Sequence, residues 1–223
     1  MAILARADLE SLLRVRKLDR TLVPAREHRE SIPTGLSTLD KTLGGGLPRG
    51  ELSEIVGPRS SGRTTVAFGA MRSAGESGEL SALVDTFDRF DPESAAAAGI
   101  RLAGLLWVRG ESAIDPVPAL ERAVKAFNLV LQAGGFAVAA LDLADVAPSA
   151  LRRLPFTTWF RLARAVEGRR TAALIVAPDH LARSPGGVTV VLEAAPRWVG
   201  SSDRARICEG LWVHPSVSLL PAS

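Results

Sequence analysis

At 223 residues and 47% hydrophobic, the chain is long enough to bury one sizeable core and too short for two domains of ordinary size. A net charge of +3, from 27 basic against 24 acidic residues, gives no case for a nucleic-acid binder on total charge alone. The chain has no apolar run of about 18 residues, and its start, MAILARADLE, lacks the features of an export signal, so a cytoplasmic protein outside the membrane is expected.

Lysine occurs only at Lys17, Lys41 and Lys125, so the other 24 basic residues are arginine. The single cysteine, Cys208, precludes an internal disulfide. His28, His180 and His214 form no metal-ligand pattern, so no metal site is expected.

Residues 1–30 read as a polar N-terminal arm with one helix, capped by Asp8 and carrying Leu9, Leu12 and Leu13 on a partial apolar face. That face must dock somewhere, on the chain's own core or on a neighbouring subunit. Residues 31–215 read as one core domain and 216–223 as a C-terminal tail. Within the core, a short helix Ser37 to Leu43 ends at Gly44-Gly45-Gly46, and a strand runs from Glu51 to Val56. A helix from Thr64 to Ala74, a strand Ser81 to Asp85, a short helix Pro92 to Ala98 and a strand Leu105 to Val108 come next.

Leu120, Val124, Phe127 and Leu131 mark a helix over Pro116 to Gln132, stopped by Gly134-Gly135 before the strand Phe136 to Leu141. A helix split or started by Pro155 runs to Val166, and a strand Ala172 to Ala177 follows. Two extended runs, Val188 to Ala194 and Ala205 to Val213, read as an antiparallel edge. The alternation predicts an α/β fold, a mostly parallel sheet flanked by helices.

Between the strand ending at Val56 and the next helix stands Gly57-Pro-Arg-Ser60-Ser61-Gly62-Arg63-Thr64-Thr65, a G-x-x-x-x-G-K-[ST] phosphate loop with arginine in the lysine column. Its amides and the helix N-terminus would cradle a β-phosphate. Thr64 stands where a hydroxyl would hold Mg²⁺, and Asp142 where an acid would support that ion. Arginine is a planar fork and lysine a point charge, so the exchange alters how the γ-phosphate is reached.

The strings PTGLSTLDKTLGGGLPRGELSEIVGPRSSGRTT and VDTFDRFDPESAAAAGI resemble the RecA recombinase core, over roughly residues 31 to 195 and most closely before residue 100. The resemblance implies a RecA-like phosphate-loop core. It also implies a catalytic glutamate at Phe87, a base-binding aspartate and tyrosine at Asp91 and Ser94, and a γ-phosphate-sensing glutamine at Pro178. Asp88 is one residue off register, where strand alternation would turn it away. With Arg63, four chemistry columns have changed together. The expectation is a non-enzyme, with no cofactor and with ATP and Mg²⁺ bound weakly if at all.

The family's two DNA loops correspond to short segments, ADVAPSALRRLP and DHLARSPGG, with Arg152, Arg153 and Arg183 as the candidate anion or DNA contacts and no aromatic platform. At most weak single-stranded DNA binding is expected.

Six arginines lie between residues 152 and 170 against the one acid Glu167. A worn ATP site with shortened DNA loops is similar to the ImuA-type accessory proteins of damage-induced mutagenesis. That likeness implies RecA and a Y-family polymerase-like protein as partners, and the resemblance of the N-terminal arm to the one by which RecA protomers join implies a further copy of the chain. The alternatives are a SulA-like cell-division inhibitor and a weak ATP-dependent recombination protein.

Overall fold

The computed structural model describes residues 30–111, 115–182, 186–200 and 207–218. The expected arm helix with Leu9, Leu12 and Leu13 lies outside the described residues, as does Arg183.

Nine strands, six α-helices and one short 3-10 helix (Leu102–Gly104) are described. A two-residue strand β1 (Ser31–Ile32) pairs antiparallel with β2 (Leu47–Pro48), framing helix α1 (Ser37–Leu43). The chain then alternates β3 (Leu52–Val56), α2 (Arg63–Glu76), β4 (Leu80–Asp85), α3 (Pro92–Ala97), β5 (Leu105–Arg109), α4 (Pro116–Ala133) and β6 (Phe136–Asp142). Two further helices, α5 (Pro148–Leu151) and α6 (Thr157–Val166), lead to β7 (Ala172–Ala177), β8 (Thr189–Val199) and β9 (Ile207–Ser218).

The main sheet has seven strands in the order β5-β4-β6-β7-β3-β8-β9, parallel throughout except for the antiparallel β8–β9 pair at one edge. The expected α/β core is therefore present. The final strand pairs through Ser218, so residues 216–218 are strand and not tail. The small β1–β2 sheet was not foreseen, because each of its strands is too short for period-2 alternation to register.

Parallel strands covered on both faces read as continuous apolar runs. All six residues of β7 are buried, as are Ala137 to Leu141 of β6. One face is packed by α4 and α6, through Leu120, Phe127, Leu131, Trp159, Leu162 and neighbours. The other is packed by α1 and α2, through Leu39, Val66, Ala70 and Met71.

Helix α4 has clear boundary signals. Asp115 caps it by accepting from the Val117 N–H at 3.0 Å, Pro116 opens it, and Gly134 closes it at φ +69°. On α2, Gly69 lets the helix approach the Thr34 carbonyl, where an added Cβ would lie 1.9 Å from the oxygen.

Candidate nucleotide site

In an open parallel sheet, ligands bind beyond the carboxyl ends of the strands. Here that edge holds the loop after β3, the segment after β4 and the end of β6. A cavity of about 430 Å³ opens there, and Ser60, Arg63, Thr64, Asp91, Ser94 and Asp142 all line it. These are residues expected from sequence, brought together from three separate segments.

The loop Gly57 to Thr65 keeps the backbone shape of a phosphate cradle. Gly57, Ser60 and Gly62 all take positive φ (154°, 60° and 92°). A Cβ on Gly57 would meet the Leu192 carbonyl oxygen at 2.4 Å, so glycine is required by close packing as well as by φ. The Ser61 hydroxyl is buried without a hydrogen-bond partner among the described residues. The frame therefore fits a phosphate group. Thr64 and Thr65 are exposed on the first turn of α2, with Thr64 facing the cavity.

Arg63 is only 6% exposed, and its Nη1 lies 3.5 Å from the Ala144 carbonyl. Burial lowers its pKa from the usual arginine value, with Asp142 and Asp145 pulling the other way. At the loop tip, Arg59 Nη2 donates to Asp145 at 2.8 Å, bridging the cradle to the segment after β6. Asp142 accepts from the Ala144 N–H at 2.9 Å. Burial, with Asp85 and Asp145 nearby, pushes its pKa up to about 6.

The groups that would act on a γ-phosphate are absent from the columns where the resemblance placed them. Phe87 lines no part of the cavity and packs against the core on the α4 side. Asp88, past the end of β4 at φ +58°, makes a two-pronged ion pair with Arg109 (2.9 and 2.7 Å), and Arg109 stacks over Trp107. Asp85 accepts from the Arg89 and Phe90 N–H groups and from Trp107 Nε1. Asp91 caps α3, accepting from the Glu93 and Ser94 N–H groups and from the Ser94 hydroxyl, which lowers its pKa. Pro178 follows β7 and offers no donor.

Ser94 leaves the tyrosine column without a ring, while Phe68 and Phe90, which sequence reasoning did not single out, line the cavity and form an aromatic chain with Trp107, with centroids 5.8 and 5.1 Å apart. They escaped notice because neither occupies the tyrosine column. The loop after β6 has no aromatic residue of its own, and Phe156 and Phe160, just beyond it, are 49% and 46% exposed. Arg152 and Arg153 are exposed beside them.

Sequence reasoning also passed over Glu54. It is 2% exposed in β3 and accepts from the Leu181 and Ala182 N–H groups (3.0 and 2.9 Å) and the Thr189 hydroxyl (2.7 Å), with His180 Nδ1 at 3.2 Å. This carboxylate fastens the segment after β7, the counterpart of the second DNA loop. The signal was available: a glutamate inside the otherwise apolar strand LSEIV needs partners when buried.

The fold and cradle define a phosphate-loop α/β domain. Compared with known proteins, residues 17–147, more than half of the chain, match the RecA N-terminal domain. The chain belongs to the RecA family. It is similar to Protein RecA of Arthrospira platensis, 45% identical over 103 residues, or 45% of this chain and 28% of that protein. Its similarity to Protein RecA of a Nostoc strain is 46% over 96 residues (42% and 27%), and to that of a Picosynechococcus strain 40% over 104 residues (45% and 30%). These alignments span less than a third of the relatives' length. Among the described residues, no helix is long and apolar enough to cross a membrane.

Proposed function

We propose that this chain is a RecA-like accessory protein that works by binding and does not hydrolyse ATP. The observation that carries the reading is the fate of the carboxylates after β4. Asp85, Asp88 and Asp91 are each committed to backbone caps or an ion pair, and Phe87 packs, partly buried, against the core. Each carboxylate of that segment already has a partner among the described residues, whereas a nucleotide hydrolase needs a group to position and polarise the attacking water. The cradle persists as the turn that joins β3 to α2.

Its setting in this proposal is the cytoplasmic DNA-damage response. The chain would bind RecA and a Y-family polymerase-like protein, supporting error-prone synthesis past lesions and restraining recombination. Kinship with RecA supports a RecA-related partner, because family members that share a core can share its contact surfaces. Immobilised chain should retain purified RecA and the polymerase-like protein and leave the tubulin-like division protein in the flow-through. Retention of the division protein alone would favour a SulA-like inhibitor and overturn the reading.

One observation favours a second reading, in which nucleotide still binds as a ligand. The cradle is open, the Ser61 hydroxyl has no partner among the described residues, and Phe68 and Phe90 supply an apolar wall. Titration with a fluorescent ATP analogue, with and without Mg²⁺, tests this.

A further inference from the structure

We infer that the outer face of α6, where the Phe156 and Phe160 rings meet between Arg153, Arg161 and Arg164, is a docking surface for an acidic protein segment carrying a large apolar side chain. This deepens the partner-binding reading but does not depend on the nucleotide cavity. An active ATPase would leave it standing.

Helix α6 buries Thr158, Trp159, Leu162 and Val166. Positions three and four apart share a helix face, so the opposite side presents Thr157, Phe160, Arg161 and Arg164, with Phe156 at its head. The two exposed rings pack edge to face, with centroids 4.8 Å apart at 87°. They form one apolar knob in a stretch of chain where Arg152, Arg153, Arg161 and Arg164 are all exposed. Arg164 is paired with Glu167, both exposed, while Arg152, Arg153 and Arg161 make no ion pair with any described residue. Between residues 152 and 170 the chain has six arginines and one acid. A central aromatic anchor with arginine around it is the usual composition of a protein-binding patch.

Charge complementarity sets the occupant. The arginines call for acidic residues, and the knob calls for an apolar side chain among them. The chain's own residues 1–30, with seven basic residues against five acidic, do not supply that charge. Single-stranded nucleic acid is the competing anionic ligand, since bases stack on exposed rings, and labelled oligo(dT) is the arm of the test that distinguishes it.

The test uses the full chain and fluorescence anisotropy. The probe is a labelled amphipathic peptide with glutamates flanking leucines, alongside its Glu→Gln, Leu→Ser and Glu→Lys counterparts and labelled oligo(dT). The glutamate–leucine peptide should bind about tenfold or more tightly than the Gln and Ser counterparts. Phe156→Ser with Phe160→Ser should remove that advantage, and Phe→Leu at both positions should restore most of it. Arg153→Glu with Arg161→Glu should switch preference to the lysine peptide, a gain that a misfolded variant cannot produce. The inference is overturned by equal affinity for the glutamate and glutamine peptides. It is also overturned if oligo(dT) is the ligand whose binding the Phe variants abolish, or if those variants alter only self-association.

Discussion

Asp142 gives the sharpest test of the electrostatics at the cavity. It ends β6 directly opposite Asp85 of β4, with Asp145 close by, so its charge is disfavoured by burial and by like charges. Its pKa rises from the ordinary 3.8 to about 6. The folded protein therefore holds a proton that the unfolded chain has released across that interval. The associated stability is fully present below about pH 4 and is lost as pH rises through about 6.

Two pKa units at 1.36 kcal/mol each give a penalty of up to about 3 kcal/mol at neutral pH. Asp142→Asn keeps an oxygen for the Ala144 N–H and removes the charge. Urea unfolding followed by tryptophan fluorescence should find this variant equal to the parent near pH 4 and more stable by up to about 3 kcal/mol above pH 7. A difference between the two that stays constant across pH would refute the reasoning.

Three other substitutions probe the frame. Glu54→Ala strands the buried Ala182 N–H and the Thr189 hydroxyl, and should destabilise by about 2–5 kcal/mol in urea unfolding, whereas Glu54→Gln keeps an acceptor and should lose about 1. Amide exchange at Leu181 and Ala182 should rise in the alanine variant before global unfolding. Gly69→Ala drives a methyl onto the Thr34 carbonyl and should lower stability by about 1–3 kcal/mol, read from the thermal midpoint. Asp91→Ala removes the cap of α3 and should lower the thermal midpoint in the same assay.

Much of the fold was legible because its signals are local. Ala172 to Ala177 is an unbroken apolar run between Thr171 and Pro178, and its observed bounds match that run. Asp115, Pro116 and Gly134 bracket α4 in the same way. The order of the seven strands was not legible, since parallel neighbours are joined by crossovers and pairing is decided over long separations.

The phosphate loop was legible as a string, and the fold brings it together with Asp91, Ser94 and Asp142 at one cavity. The engagement of Asp85, Asp88 and Asp91 was not, because each depends on where a backbone amide or Arg109 lies in space. Glu54 shows the same limit: its partners lie 126 to 135 residues further along the chain. The Phe156–Phe160 knob was missed because a ring in an amphipathic helix reads as core until the helix phase is fixed. Trp159 takes the inward position, leaving the two phenylalanines outside.

The central claim is that this RecA-family chain has the cradle without the hydrolytic chemistry. The measurement that meets it most directly is phosphate release from ATP by purified chain with Mg²⁺ and single-stranded DNA, beside Asp142→Ala as control. The account predicts no release above the control. Steady turnover that the Asp142→Ala change abolishes would contradict it.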